Sequence, residues 1–185
     1  MDAFPSAADE GRRLAALRQY SLAEDSPAPA LVELAQLAAA ACQAPMAFIA
    51  FVDETRQRMA ASVGFERVDA PREASFGRLL LARTDPLIVD NARGDARLAL
   101  DPLVTGPAHT RLYAGAPLLV PEGHVIGCLA VADRAVRSLT PAQAQSLSAL
   151  SRQVVTQLEV RRQTEILREG EERLRLALRD RKSVV

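Results

Sequence analysis

The sequence predicts an α+β domain, an antiparallel β-sheet with flanking helices and a long C-terminal helix. Two predicted β-hairpins support this, one over residues 46–63 and one over residues 111–133. The third observation is a helical pattern that runs from Pro141 to about Lys182 and contains no further proline. Helices, hairpins and a final helix in this order are typical of a sheet whose helices gather against one face.

Two helices precede the first hairpin. Leu14 and Leu17 recur at helical spacing within residues 11–20, and a second apolar stripe runs over residues 31–41. Pro45 ends that second helix, because proline cannot continue a helical hydrogen-bond pattern. Residues 1–11 are mostly small and polar, so we assign them to a flexible start.

The middle of the chain alternates strands with irregular connections. The segment MAFIAFV at 46–52 predicts a buried strand, and its partner at 57–63 is expected to place Met59, Ala61 and Val63 on one face. A short helix at 76–82 and a short strand at 87–89 follow. The connection 92–110 has no long apolar period, and four apolar residues are expected to hold it against the body: Leu98, Leu100, Leu103 and Val104.

The last helix has a well-defined start. Thr140 can act as N-cap, Pro141 occupies the first helical position and Gln143 completes a capping box. A helix of some 40 residues spans about 60 Å, more than one small domain can cover. We therefore place one domain at residues 12–160 and a linker helix or coiled coil at residues 161–185, leading to a missing output domain.

The distal part of this helix carries a candidate dimer seam. Its apolar residues recur at about heptad spacing: Val160, Leu167, Leu174 and Leu178. The pattern predicts a parallel coiled-coil homodimer, although Thr164 and Glu171 are poor core residues in the same seam. The alternative is a solvated helix stabilised by charge pairs along its surface.

Composition excludes several classes of protein. Lysine and arginine balance aspartate and glutamate, aromatic residues make up 4% and tryptophan is absent, so no nucleic-acid partner is expected. The chain lacks both a membrane-spanning apolar stretch and a secretory signal, which predicts a cytoplasmic location without a membrane partner. Cys42 and Cys128 are expected to be reduced, buried thiols.

Over residues 12 to about 160 the chain resembles GAF domains of bacterial sensor histidine kinases and diguanylate cyclases. The most specific match is RLYAGAPL at 111–118, and APMAFI at 44–49, GDAR at 94–97 and DPLV at 101–104 precede it in the expected order. Many close relatives carry a cysteine directly after the Ser75-Phe76 pair, whereas this chain has Gly77. Thiol or histidine chemistry associated with that position is therefore absent here. Residues 171–178 look like the lead-in helix of a PAS domain.

The resemblance implies a ligand pocket between the sheet and the connection over it, roughly at residues 76–113. The candidates within this span are aromatic and basic side chains: Phe76, Arg78, Arg97, His109, Arg111 and Tyr113. Each has a structural alternative. Arg97 can pair with Asp95 or Asp101, Arg111 can pair with Asp90, and both aromatic rings can belong to the core. No cofactor is identifiable, so the expected ligand is an unknown small molecule.

Taken together, the sequence predicts a regulatory input domain that is not itself an enzyme. It would sense a small molecule or a partner, form a homodimer through its C-terminal helix and act on an output domain in the same full-length chain, a histidine kinase or a diguanylate cyclase. One alternative is a dimerisation spacer that binds no ligand. Another is a small redox enzyme using Cys42 or Cys128, which lack a visible activating neighbour.

Overall fold

The computed structural model describes residues 6–20 and 29–183, with side chains as far as Arg179. Its helices are α1 (Ala7–Arg18), α2 (Pro29–Ala41), α3 (Pro102–Thr105) and α4 (Pro141–Ser183). Its strands are β1 (Met46–Val52), β2 (Arg56–Val63), β3 (Ala70–Pro71), β4 (Leu87–Val89), β5 (Leu112–Leu119) and β6 (Val125–Asp133).

These strands form one antiparallel sheet in the order β3-β2-β1-β6-β5-β4. Both predicted hairpins are present, and β1 pairs with β6 to join them at the centre of the sheet. The predicted α+β class, with flanking helices and a long C-terminal helix, is therefore confirmed.

The sheet is covered on both faces, which explains why β1 is a continuous apolar run rather than an alternating one. Ala47, Ile49 and Phe51 point to the helix face, where α1, α2 and α4 pack. Phe48 and Ala50 point to the opposite side, called here the loop face, which segments 72–80 and 92–108 cover. Every residue of β1 is buried as a result.

A β-bulge in β2 overturns one prediction. Met59 packs on the loop face and Ala61 on the helix face, so these two residues do not share a side of the sheet. The register slips by one residue here, because Ile49 opposes Ala61 whereas the next residue, Ala50, opposes Met59. One extra residue in a strand inverts the side-chain alternation beyond it.

Helix α1 starts earlier than the sequence indicates and is fastened by a buried arginine. The Ser6 hydroxyl accepts a hydrogen bond from the Asp9 amide at 3.2 Å, so residues 7–11 of the assigned flexible start are helical. Arg13, 1% exposed, donates two hydrogen bonds to the Glu10 carboxylate and one of 2.7 Å to the Val52 carbonyl. The bonds from Arg13 hold the pKa of Glu10 down at about 2.

The connection between β4 and β5 is more ordered than its sequence suggests. It contains two short 3-10 turns and α3, and Leu98, Leu103 and Val104 are buried as predicted. Leu100 is 78% exposed, so the prediction that it holds the connection against the body is wrong. Segment 76–82, predicted as a short helix, forms a 3-10 turn at Gly77–Leu80.

Helix α4 begins with the predicted capping box. The Gln143 amide donates to the Thr140 hydroxyl at 3.2 Å, and the Thr140 amide donates to the Gln143 side-chain oxygen at 3.0 Å. The helix then continues for 43 residues. Leu147, Val154 and Leu158 bury its first half against the sheet, whereas all side chains described from 163 to 179 are exposed.

Candidate ligand site on the loop face

A buried carboxylate organises the loop face. Asp101, 1% exposed, is the N-cap of α3 and accepts a hydrogen bond from the Leu103 amide at 2.8 Å. It also accepts one from the Phe76 amide at 3.0 Å and one from the Tyr113 hydroxyl at 3.2 Å. Burial raises the pKa of Asp101 to about 6. This side chain thus joins segment 72–80, α3 and β5 at one point.

The two aromatic pocket candidates lie against each other. The rings of Phe76 and Tyr113 are parallel with centroids 4.4 Å apart, and both residues are fully buried. Phe76 lies over Gly115, where a Cβ atom would come within 2.5 Å of the ring. Burial raises the pKa of Tyr113 well above its ordinary value, so its hydroxyl remains a hydrogen-bond donor.

Gly77 is tightly packed beneath this pair. Its amide donates to the side-chain oxygen of Gln57 at 2.8 Å, and Gln57 is itself buried in β2. A Cβ atom at this position would lie 2.5 Å from that oxygen and 2.9 Å from Cγ2 of Val52. A side chain at this position does not fit the arrangement unless Gln57 or Val52 moves.

The polar candidates occupy the rim of the loop face. Arg97 binds the Asp95 carboxylate through two of its nitrogens, at 3.0 and 2.6 Å. This is the predicted structural alternative in which Arg97 pairs with Asp95. Arg78 and Arg111 are half-buried, and Arg111 donates to the Thr110 carbonyl at 2.9 Å. His109 is exposed, with a left-handed backbone φ of 50°.

Asp101 and Gln57 are the site residues that sequence reasoning missed. A signal for Asp101 existed, since Asp-Pro before an apolar pair is typical of a helix N-cap. No sequence pattern marks Gln57, because its buried side chain is bound by the amide of Gly77, which is 20 residues away in the sequence. Of the predicted residues, Phe76 and Tyr113 are brought together.

A second polar cluster lies where α4 leaves the sheet. The Tyr20 hydroxyl donates to the Glu159 carboxylate, and the Arg162 guanidinium lies 5.5 Å from the centre of the Tyr20 ring. Arg162 also donates to the side-chain oxygen of Gln19, and to Glu122 at 3.1 Å. The C-terminal end of α1 is therefore fixed to α4 at this point.

Both thiols lie inside the described part of the chain, residues 6–20 and 29–183. Cys42 and Cys128 are both buried and unpaired with each other, as predicted, and burial raises the pKa of Cys128 to about 12. The described residues contain no group of three or more histidine, cysteine or acidic side chains that could hold a metal ion. None of the described helices has a stretch apolar and long enough to cross a bilayer.

A six-stranded antiparallel sheet between a helical layer and a loop layer defines the class of α+β domain to which the chain belongs. The GAF domain family matches residues 26–158 of this chain, and the chain belongs to that family. The solved GAF domain of a phosphoenolpyruvate-protein phosphotransferase from Coxiella burnetii has the same fold. It aligns with a TM-score of 0.64 at 14% identity, over 88% of this chain and 99% of that one.

Two further matches are a sequence relative and a solved domain. The chain is 32% identical over 166 residues to the cyclic di-GMP phosphodiesterase PA2567 of Pseudomonas aeruginosa, which covers 89% of this chain. It spans 28% of the length of that relative. A domain assigned to a two-component sensor histidine kinase of Sinorhizobium meliloti aligns with a TM-score of 0.58 at 17% identity, over 74% of this chain and 93% of that one.

Proposed function

We propose that this chain is the regulatory input domain of a longer signal-transduction protein and is not itself an enzyme. The output part would make or degrade cyclic di-GMP, as the similarity to PA2567 suggests, or would be a histidine kinase. The observation that carries the proposal is α4, which continues as an exposed helix from about Gln163 to Arg179. A helix that extends beyond its own domain is suited to passing a movement to a neighbour.

Strand β5 connects the proposed ligand site on the loop face to α4 on the helix face. Its residue Tyr113 lies on the loop face, whereas Leu112 and Ala114 lie on the helix face, against which α4 packs. A ligand that displaces the Phe76 ring would shift β5 and favour another position of α4. Such a ligand acts only through its difference in affinity for the two arrangements.

Two features of the loop face support a small-molecule ligand. The Thr110 hydroxyl is fully buried and has no hydrogen-bond partner within the described part of the chain. A buried hydroxyl without a hydrogen-bond partner lowers the stability of the fold by about 1–3 kcal/mol. A ligand whose polar atom bonds to this hydroxyl would regain that free energy. Arg78, Arg97 and Arg111 at the rim would supply cationic donors to it.

The proposed domain is a homodimer through the distal part of α4. Val160, Leu167, Leu174 and Leu178 are each more than half exposed, which leaves the seam available to a second copy of the helix. A redox role is disfavoured, because both thiols are buried and burial raises the pKa of each.

One observation favours the second candidate, a dimerisation spacer without a ligand. The stacked rings of Phe76 and Tyr113 fill the centre of the loop face, and Gly77 is packed against Gln57 and Val52 beneath them. A ligand would have to open this packing before it could bind.

Native mass spectrometry of gently purified protein, with thermal melting across a metabolite panel, separates the two candidates. Sensing predicts a retained small molecule or a raised melting temperature with at least one compound. Arg97→Gln and Arg111→Gln should weaken that effect, whereas Arg93→Gln, an exposed arginine of the same connection, should not. A clean apo mass and no shift with any compound would favour the spacer.

A further inference from the structure

An ion pair joins the helix layer to the loop layer around the end of the sheet. The Arg72 guanidinium, at the start of segment 72–80, donates to the Glu10 carboxylate of α1 and, at 3.1 Å, to the Asp53 carbonyl. The side chains of Arg72 and Glu10 are 14% and 21% exposed. Asp53 directly follows β1, so the pair passes this strand at its C-terminal end. An ion pair in such a position is screened less than one on an open surface.

Arg72 is also bonded to the backbone that carries the proposed ligand site. Its carbonyl accepts hydrogen bonds from the Ser75 amide at 3.1 Å and from the Ser75 hydroxyl at 2.8 Å. Ser75 is fully buried, and the next amide, that of Phe76, donates to Asp101. A movement of Phe76 would therefore reach Arg72 through a short, hydrogen-bonded turn.

The other end of α1 is bound to α4. Tyr20 lies two residues beyond the helix and is 4% exposed, and its hydroxyl donates to the Glu159 carboxylate. Glu10 and Tyr20 are ten positions apart, which is about 15 Å at the rise of an α-helix. Leu17, between them in the sequence, is buried on the helix face. Helix α1 is thus held by the loop layer near one end and by α4 at the other.

The contacts near Glu10 leave α1 free to tilt but not to detach. Arg13 holds the same carboxylate and donates to the Val52 carbonyl at 2.7 Å, which keeps this part of α1 at the end of β1. The bond from Arg72 is an additional contact on that carboxylate. Hydrogen bonds are directional, so a shift of Arg72 either draws Glu10 with it or breaks the contact.

We propose that Glu10 and Arg72 are positioning residues of the ligand site on the loop face, and that α1 links this site to α4. The inference rests on the proposed function and adds a second route to the one through β5. Displacement of Phe76 would shift Arg72, tilt α1 about its anchor and act on Glu159, close to where α4 leaves the sheet. A movement of α4 would equally change the loop face, because coupling between two sites acts in both directions.

Hydrogen exchange followed by mass spectrometry tests this α1 link in the full, ligand-free chain, by perturbing one end and observing the other. Arg72→Gln removes the ion pair, and the amides of residues 156–162 should exchange at least about 5-fold faster. Tyr20→Phe removes only the hydroxyl at the opposite end, and the amides of residues 75–80 should be accelerated about equally. Residues 126–131 of β6 report opening of the whole domain and should be unchanged. Tyr20→Phe remains decisive if Arg72→Gln does not fold.

Two controls separate positioning from general stability. Arg12→Gln removes an exposed ion pair with Asp9 on the same helix and should leave exchange in all three regions unchanged. Arg72→Lys keeps a positive charge beside Glu10 and should restore most of the slow exchange at residues 156–162.

Faster exchange confined to the neighbours of each substitution refutes the α1 link, and so does equal acceleration in β6. None of these measurements needs a bound compound. The α1 link can therefore fail while sensing stands, and the metabolite panel decides sensing separately.

Discussion

Replacing Asp101 by asparagine should change how the stability of the domain depends on pH. The carboxylate accepts hydrogen bonds from the amides of Phe76 and Leu103 and from the Tyr113 hydroxyl, yet it is 1% exposed. Asparagine has nearly the same shape and can accept some of these bonds, but it cannot ionise. The comparison therefore isolates the cost of holding a charge in this position.

The pKa of Asp101 in the folded protein determines the size and sign of the pH dependence of stability. Burial raises the pKa of Asp101 from 3.8 to about 6 in the folded protein. Between these two values the folded protein retains a proton that the unfolded chain has lost, so stability falls as pH rises through this window. At 1.36 kcal/mol per pKa unit, the contribution present below pH 3.8 and lost above pH 6 is about 3 kcal/mol.

Urea unfolding of both proteins at intervals from about pH 4 to about pH 7 measures this contribution. The free energy of unfolding of Asp101→Asn, relative to wild type, should rise by about 2 kcal/mol across that range, because part of the effect already lies below pH 4. A difference that does not vary with pH would show that the pKa is unshifted. A difference of the opposite sign would show that the three hydrogen bonds outweigh burial, and the reasoning would be refuted.

Three further substitutions test the packing by thermal and urea unfolding. Arg13→Met should cost about 2 kcal/mol, because the buried Val52 carbonyl loses its hydrogen-bond donor while Glu10 keeps Arg72. Arg12→Met, at an exposed ion pair, should cost under about 0.5 kcal/mol, and equal effects of the two substitutions would contradict this. Gly77→Ala should cost about 1–3 kcal/mol through the clash with Gln57, unlike Gly94→Ala, which has space. Gly170→Ala should stabilise the exposed helix by about 1 kcal/mol, visible as increased helical circular dichroism, and no increase would argue against a continuous helix there.

The elements that local chemistry determines could be predicted from the sequence. The capping box at Thr140 and Gln143 depends on residues three positions apart, and it forms as expected. The hairpin 111–133 follows from two apolar segments around a glycine turn, and it is present as β5 and β6. The burial of Phe76 and Tyr113 was foreseen as an alternative to a pocket lining, because large aromatic residues suit both environments.

The features that depend on distant partners could not be predicted. The bulge in β2 is set by how β1 and β2 pair, and no residue type in the sequence marks it. Arg13 occurs in a polar, charged segment, which indicates an exposed helix, yet it reaches the end of β1 and is buried. The importance of Gly77 also becomes clear only when Gln57 and Val52 are found beside it.

The contacts around Arg162 have a mechanical consequence. They hold α4 where it leaves the sheet, and the 43-residue helix ends at Ser183. The 21 residues beyond Arg162 make a lever about 32 Å long, and pivoting it by about 5° moves its tip by about 3 Å. That displacement equals about two residues of helical rise. A rotation too small to disturb the packing of the sheet would thus be enlarged into a displacement of several ångströms at the far end of the helix.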